Sequence, residues 1–273
     1  MPTASSGFPP DQRQRILQET FVECLEFAPS MESTNDRALA MISAGLPRTP
    51  LLVLTERQTG GRGRGSNQWW AARGALTCSL IIDPEMFALP AERRPQMSLT
   101  LGLAVCRAIA RFAPAADVGL KWPNDVLIGD RKTCGILCEV PGRNADAANI
   151  STSWMVLGIG LNVNNRSTTA PQELQSRAIA LIDVSPHPLS ISEVVIELLR
   201  QIERNVRLLA TNPEYLMDCW REFDVLRQRR VRLRTNSGDI CGTARGIDVD
   251  GALLLDTADG LQRCIAGTVV SSD

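Results

Sequence analysis

A chain of 273 residues is long enough for one large domain, or for one large domain and a small one. Its 29 basic and 30 acidic residues give a net charge of -1, which argues against a dedicated DNA-binding or polybasic membrane protein. No run of about 18 apolar residues and no signal-peptide pattern occurs, so we expect neither a transmembrane helix nor a leader. Eight scattered cysteines without a Cys-x-x-Cys pair favour buried thiols in a reducing cytoplasm.

In the first 226 residues, apolar periodicity and turn residues predict helices and short strands that follow one another closely. The predicted helices are 11–23 with Asp11 as its cap, 33–44, 95–112, 190–209 and 212–223. The predicted strands are 25–28, 51–55, 75–82, 118–122, 126–128, 134–140 and 154–163.

The sequence pattern changes after Leu226, where short predicted strands are joined by turns rich in Asp and Gly. These strands are predicted at 230–235, 240–247, 252–256 and 261–265, and their spacing is typical of a small barrel. We therefore expect a larger domain over 1–226 and a small one over 227–273.

A glycine- and arginine-rich loop follows the strand at 51–55. Residues 60–65 include four glycines, which let a backbone approach a ligand closely, and Arg62 and Arg64 offer forked donors that suit phosphate. Trp69 and Trp70 follow and would stack on a purine or exclude water. The alternatives for this segment are a flexible surface loop or an RNA-binding loop.

The two lysines of the chain, Lys121 and Lys132, lie within twelve positions of each other, whereas the other basic residues are all arginine. A GC-rich genome explains the general scarcity of lysine. Against that background, two positions have kept lysine. An ammonium and a guanidinium are not interchangeable beside phosphate or carboxylate oxygens, so these two lysines are candidates for such contacts.

Two further segments offer groups for ligand binding. The turn 121–125, Lys-Trp-Pro-Asn-Asp, displays a lysine, an amide and a carboxylate together, although an ordinary polar turn would contain similar residues. Gly158 and Gly160 alternate in a predicted strand, which indicates close approach of a ligand or tight packing against a helix.

Taken together, these segments resemble the biotin–protein ligase family, in the order and approximate spacing of that family. The matching motifs are Ser33-Thr34-Asn35, Gln58 to Arg64 with Trp69, 121–125, Asp130-Arg131-Lys132 and 158–162. The resemblance covers roughly residues 27–270. It implies an α/β (α+β) fold with a mixed-sheet, class II synthetase-like catalytic domain carrying packed helices, followed by an SH3-like β-barrel.

The resemblance also assigns site residues. Those implied to bind biotin are Ser33, Thr34, Asn35, Gln58, Arg62, Gly63, Arg64, Lys132 and Gly135. Those implied to bind ATP are Arg62, Arg64, Trp69, Lys121, Asn124 and Asn162. The implied catalytic cations are Arg62, Arg64, Lys121 and Lys132, with Lys121 or Asp125 as the proton acceptor.

The implied reaction joins biotin to ATP as biotinyl-5'-AMP, with Mg²⁺, and then transfers biotin to a lysine of a biotin carboxyl carrier protein. We expect a cytoplasmic monomer or homodimer. We expect no sequence-specific DNA binding, because only 32 residues precede Ser33 and a DNA-binding module needs about 60. Gly65, Ser66 and Asn67 stand where the family often has basic residues, which predicts altered retention of the adenylate.

Three alternatives remain open at this stage. A lipoate or octanoate ligase would share the catalytic fold, although the Gly-Arg-Gly-Arg loop and the Trp-Pro-Asn-Asp turn favour biotin. A non-catalytic nucleic-acid-binding protein would use the Arg/Gly loop, but low net charge and sparse aromatic residues weigh against it. A degenerate biotin-binding regulator is disfavoured because both lysines and both loop arginines are present.

Overall fold

The structure is a computed structural model that describes residues 8–45, 48–141 and 154–272. Its helices are α1 Pro10–Glu19, α2 Thr34–Ser43, α3 Met97–Phe112, α4 Gln172–Gln175, α5 Ile191–Thr211 and α6 Pro213–Glu222. Its strands are β1 Cys24–Ala28, β2 Leu51–Thr55, β3 Leu76–Ile82, β4 Val118–Lys121, β5 Asp125–Ile128, β6 Arg131–Glu139, β7 Met155–Leu161, β8 Arg230–Thr235, β9 Gly238–Ile247, β10 Leu253–Thr257, β11 Gly260–Cys264 and β12 Thr268–Ser272.

The first seven strands form one mixed sheet in the order β1-β2-β3-β7-β6-β5-β4. Only the β1–β2 pair is parallel, and the other neighbours are antiparallel. Every residue of the central strands β3 and β7 is buried. The sheet therefore has both faces covered at its centre, which explains why these strands are nearly continuous apolar runs.

The two faces of the sheet carry different helices. On one face, leucines and isoleucines of β3 and β7 join a large core with α3, α5 and α6. On the other face, Ala38 and Ile42 of α2 pack on Ile81 and Val156. Since α2 is only ten residues long, it covers only part of its face. A cleft lies on that face, beside the first turn of α2.

The last five strands form a separate antiparallel sheet in the order β11-β10-β9-β8-β12, in agreement with the predicted small barrel. It is attached firmly to the larger part of the chain. The indole nitrogen of Trp122 donates a hydrogen bond of 3.0 Å to the carbonyl oxygen of Gly251, and Leu120 pairs with the segment after α6.

The structure differs from the predicted elements in several places, and the short helix α4 was not predicted. The first helix is present, but its predicted bounds of 11–23 and its Asp11 cap are wrong: it runs Pro10–Glu19 with Pro9 at the cap position, and Thr20 is already extended. Helix α3 begins at Met97, because Pro95 lies in a preceding 3-10 turn. Strand β12 was missed, since no Asp-Gly turn marks its start.

Among the residues that the structure describes, no helix is both long enough and apolar enough to span a bilayer.

Candidate active site

The floor of the cleft consists of small residues on the face of the sheet that carries α2. Period-two alternation places Ser79, Gly158 and Gly160 on this face, and the register pairs Ser79 with Gly158 and Gly135 with Gly160. A Cβ atom at Gly158 would lie 2.2 Å from Oδ1 of Asn35, and one at Gly160 would lie 2.4 Å from the Trp69 ring. Of the two predicted alternatives, packing against a helix is seen at Gly158, whereas the neighbour at Gly160 is the Trp69 ring. Approach of a ligand to this strand stays a prediction.

The first turn of α2 supplies polar groups to one end of the cleft. Ser33 caps the helix by accepting a hydrogen bond of 3.3 Å from the backbone N–H of Asp36. This cap fixes the next two side chains, so that Thr34 and Asn35 point toward the sheet and are buried. All three were predicted site residues, and all three line the cleft.

A buried hydrogen-bond network holds these side chains. Gln58 Oε1 accepts from both the backbone N–H and the hydroxyl of Thr34, at 2.7 and 2.9 Å. The hydroxyl of Ser79 lies 2.8 Å from Thr34 Oγ1 and 2.5 Å from Asn35 Oδ1. Ser79 is fully buried, and the sequence analysis did not single it out because it stands in an apolar run.

Asn35 continues the network to strand β6. Its amide nitrogen donates to the carbonyl oxygen of Leu137 at 3.2 Å and to Glu139 Oε2 at 2.7 Å. The same carboxylate accepts two hydrogen bonds from the guanidinium of Arg62, at 3.0 and 2.7 Å. Hydrogen bonding to Glu139 is the main cause that raises the pKa of Arg62, which therefore stays charged.

Trp69 lies over the glycine floor. Its ring is 3.3 Å from the position of a Cβ at Gly135 and closer still at Gly160, so only glycines leave room for it. The Lys132 ammonium lies 5.8 Å from the ring centroid. The indole N–H of Trp69 is buried without a hydrogen-bond partner among the described residues. An unpaired buried donor is costly, and a ligand acceptor would satisfy it.

The two lysines of the cleft, Lys121 and Lys132, lie near the carboxylate of Asp125. Lys132 Nζ lies 2.5 Å from Oδ1 of Asp125, in an ion pair that is partly buried. Lys121 also lines this region, and burial lowers its pKa, with Lys132 and Arg177 adding to the effect and Asp125 opposing it. A lysine whose pKa is lowered in this way loses its proton more readily, as an acid–base group needs.

We expect Lys121→Met to raise the thermal midpoint of unfolding at pH 7 by about 2 °C. The pKa of Lys121 is below its ordinary value of 10.5 in the folded protein, so the charged form is disfavoured by folding. This cost is fully present below the folded pKa and disappears as the pH rises toward 10.5. Thermal unfolding of both proteins between pH 7 and 10.5 should therefore show a gap that closes; a gap that widens would contradict it.

The barrel contributes one edge of the cleft. The guanidinium of Arg64 donates hydrogen bonds to the carbonyl oxygen of Gly267 and, at 3.0 Å, to the hydroxyl of Thr268, at the start of β12. Burial lowers the pKa of Arg64, while Asp125 opposes this. Thr268 was not a predicted site residue, because β12, the strand that positions it, was not predicted.

The turn of the glycine loop is closed locally. The backbone N–H of Gly63 donates to the carbonyl oxygen of Asn67 at 2.8 Å, and the Asn67 amide donates to the carbonyl oxygen of Arg64 at 2.9 Å. Asn67 stands where a basic residue is frequent in the family that the sequence resembles. Its side chain thus shapes the loop instead of adding positive charge.

Of the predicted site residues, all except Asn162 line this one cleft. Asn124 is held there by a hydrogen bond of 2.9 Å from its amide to the carbonyl oxygen of Ile136. Asn162 is buried below the cleft, where its amide donates to Ile179 and its carbonyl oxygen accepts from Asn165. The structure thus gives Asn162 a role in holding the loops beneath the site.

Within the described residues, no group of three or more His, Cys, Asp or Glu side chains is arranged to hold a metal ion. Asp125 is the one acidic residue among those lining the cleft. One carboxylate suits an Mg²⁺ ion that binds mainly through substrate phosphates, and it does not suit a metal held by protein ligands alone.

Comparisons with known families match most of the chain. The biotin/lipoate A/B protein ligase family model matches residues 27–156, and the model of the biotin protein ligase C-terminal domain matches residues 229–271. The first match contains the start of α2, the glycine loop and the lysine pair, and the second contains the barrel.

Individual proteins match over nearly the full chain. The biotin–[acetyl-CoA-carboxylase] ligase of Mycobacterium tuberculosis is 34% identical over 250 residues, covering 90% of this chain and 88% of that protein. The bifunctional ligase/repressor BirA of Bacillus spizizenii is 31% identical over 258 residues, covering 93% and 76%. The solved biotin protein ligase from Aquifex aeolicus in complex with biotin and ATP has a TM-score of 0.76 at 25% identity, covering 92% and 99%.

Proposed function

Since this chain belongs to the biotin protein ligase family, we propose that it activates biotin with ATP and transfers it to a lysine of a carrier protein. The observation that carries the proposal is one cleft with two chemically different parts. Uncharged polar groups at the start of α2 form one part of the lining, and Arg62, Arg64, Lys121 and Lys132 form the cationic part. An uncharged ring system joined to a carboxylate fits this arrangement.

The polar part would bind the ureido ring of biotin. Asn35 and Thr34 already have protein partners, and they hold Gln58 and the helix start in place. Hydrogen bonds among the described residues leave the hydroxyl proton of Ser33 and the amide nitrogen of Gln58 available to a ligand. Both are neutral donors, which suit the carbonyl oxygen of a urea.

The cationic part would allow the two substrates to react. The carboxylate of biotin attacks the α-phosphorus of ATP, which gives biotinyl-5'-AMP and releases pyrophosphate. Both reactants are anions, so they repel each other unless positive charge lies between them. Lys132 and Arg62 would supply that charge and stabilise the charge that develops in the transition state. Trp69 would pack against the bound ligand and exclude water.

Mg²⁺ would enter with the ATP phosphates, beside Asp125. The ion supplies further positive charge to the phosphate oxygens when it is bound. Asp125 is paired with Lys132 and would hold its ammonium in place beside the substrate anions. Mg²⁺ would add positive charge at the triphosphate.

In the second step, the acceptor lysine of a biotin carboxyl carrier protein attacks the mixed anhydride, and AMP leaves. The attacking amine must lose a proton, so a base has to lie nearby. We assign this role to Lys121, whose pKa burial lowers, or to the neighbouring Asp125. A substitution separates the two alternatives, because Asp125→Asn would abolish transfer only if the carboxylate is the base.

The free thiols bear on the cellular location, and the two sheets bear on the domain boundary. All eight cysteines are free thiols, and most are buried, which supports a reducing cytoplasm as its location. We place the domain boundary at Leu226, between α6 and β8. The two family matches, which end at 156 and begin at 229, support this division.

A pyrophosphate-release assay tests the substrate. We expect release that depends on biotin, together with transfer of labelled biotin to a carrier domain in the presence of Mg²⁺. Lipoate and octanoate serve as matched controls, because enzymes of the same fold use them. Activity with these two acids and none with biotin would overturn the substrate assignment.

We expect Gly158→Ala to weaken biotin binding by about 30-fold, since Asn35 must move when a Cβ lies 2.2 Å from its Oδ1. Calorimetric titration with biotin measures the effect. Gly242→Ala is the matched control, because it adds the same methyl group against the carbonyl oxygen of Asp256 in the barrel. It should lower stability and leave biotin affinity unchanged; equal affinity losses in both variants would refute the prediction.

A further inference from the structure

The network in the cleft contains a carboxylate to which neither the motifs nor the reaction assigns a role. Glu139 is the last residue of β6 and contacts two residues that line the cleft, Asn35 of α2 and Arg62 of the glycine loop. We propose that Glu139 is a positioning residue that couples the biotin pocket to the cationic loop. It would do so by fixing the amide of Asn35 and the guanidinium of Arg62 at once. The inference rests on the proposed function.

The geometry at Glu139 is that of a bridge. Its Oε2 accepts hydrogen bonds from Asn35 Nδ2 and from Arg62 Nη2, both at 2.7 Å, and its Oε1 accepts from Arg62 Nη1 at 3.0 Å. The pair with Arg62 is therefore bidentate, which fixes the plane of the guanidinium as well as its distance. The Glu139 side chain is 24% exposed, so water competes with these bonds only in part.

On the biotin side, Glu139 decides which way the amide of Asn35 points. Both N–H groups of Asn35 have acceptors, Leu137 O and Glu139 Oε2, and its carbonyl oxygen accepts from Ser79. A flipped amide would place its oxygen against two acceptors, so the carboxylate excludes that orientation. Ser79 Oγ also lies 2.8 Å from Thr34 Oγ1, and the Thr34 hydroxyl donates to Gln58, the residue proposed to contact the urea. The orientation of Asn35 therefore bears on Gln58 through close packing of these two hydroxyls.

On the phosphate side, Glu139 holds Arg62 beside the cleft. Asp36 also contacts Arg62 Nη2, at 2.8 Å, but through a single bond from a side chain that is 51% exposed. An exposed single contact orients a guanidinium weakly, whereas a partly buried bidentate pair orients it well. Glu139 is therefore the partner that sets where Arg62 meets the substrate anions.

Glu139→Ala and Glu139→Gln test this, with binding of biotin alone measured by calorimetry and KM for ATP measured by pyrophosphate release. We expect the alanine variant to weaken biotin binding and to raise KM for ATP, each by about 10-fold or more, as loss of a charge-assisted hydrogen bond does. The glutamine variant keeps one acceptor oxygen for Asn35. Its loss of biotin affinity should be smaller, with a similar rise in KM for ATP.

Glu26→Gln is the matched control. Glu26 pairs with Arg37 of α2 at 2.5 Å and is 28% exposed, so it resembles Glu139 in burial and partner but lies outside the cleft. We expect its biotin affinity and KM for ATP to match those of the wild type. Equal effects of the Glu26 and Glu139 variants would show a general loss of stability and would overturn the proposal.

Double mutants separate positioning from mere stabilisation of the fold. If Glu139 acts through Asn35 and Arg62, Glu139→Ala should change biotin affinity less than about 2-fold in an Asn35→Ala background. It should likewise change KM for ATP less than about 2-fold in an Arg62→Ala background. Fully additive losses in either background would contradict the coupling.

The controls also separate this inference from the proposed function. A wild-type protein that neither binds biotin nor releases pyrophosphate with it would refute the function itself. An active wild type whose two Glu139 variants bind biotin and ATP normally would refute only the role of Glu139. Because the glutamine variant keeps the size of the side chain, it gives a result even if the alanine variant fails to fold.

Discussion

Lys132→Ala is expected to slow adenylate formation by about 10³-fold, at the upper end of what removal of one charge-stabilising donor costs. Lys132 Nζ is paired with the Asp125 carboxylate at 2.5 Å and lies 5.8 Å from the centroid of the Trp69 ring, so its position is set before substrates arrive. Single-turnover measurement of biotinyl-5'-AMP with saturating biotin and ATP isolates this step from transfer to the carrier.

The loss has two sources that a second variant separates. Removing Lys132 also leaves Asp125 unpaired, and its negative charge would then repel the incoming substrate anions. The double variant Lys132→Ala/Asp125→Asn should recover part of the lost rate, because it removes that repulsion but does not restore the ammonium. A double variant that is slower than Lys132→Ala would mean that Asp125 aids the adenylation step directly.

Lys132→Arg tests why lysine is retained in a chain that otherwise uses arginine. The planar guanidinium is larger than an ammonium and does not fit the same space beside Asp125 and Trp69. We expect it to remain at least about 30-fold slower than the wild type. Arg207→Ala, which removes an exposed cation paired with Glu203 on α5, should have no effect on adenylation. Full activity of the arginine variant would refute the special role of the ammonium.

The sequence predicted much of the site because its residues stand in local motifs. A capped helix start, a glycine loop and a turn between two strands each expose their polar groups through local geometry. Ser33, Arg64 and Lys132 could be named for this reason. Their meeting in one cleft could be inferred only from the resemblance, since local patterns do not show which motifs become neighbours.

The missed residues depend on long-range register. Ser79 stands in an apolar run and is distinguished only by lying opposite Gly158, a pairing that joins strands 79 residues apart in the chain. Glu139 ends a strand, where a carboxylate is usually exposed to solvent. Asn162 shows the opposite pattern, because this polar residue of a family motif makes internal hydrogen bonds beneath the cleft. Residue type alone does not show whether a polar side chain belongs to the site or makes hydrogen bonds inside the fold.

Arg62→Ala is expected to slow adenylate formation by at least about 10²-fold. Its guanidinium is already oriented by Glu139 and Asp36, so it can meet the substrate anions without first paying the full entropy of ordering a flexible side chain. Loss of the guanidinium removes this preorganised charge and leaves two carboxylates near the cleft without their cation.

Arg62→Lys separates charge from geometry. An ammonium keeps the positive charge but cannot form the bidentate pair with Glu139, so we expect it to be about 10-fold slower than the wild type. Arg37→Ala is the matched control, since Arg37 lies on α2 in an ion pair with Glu26 and outside the cleft. Single-turnover adenylation should rank Arg37→Ala with the wild type, then Arg62→Lys, then Arg62→Ala. A near-normal rate for Arg62→Ala would show that the charge between the two substrates comes from Lys132 and Arg64 alone.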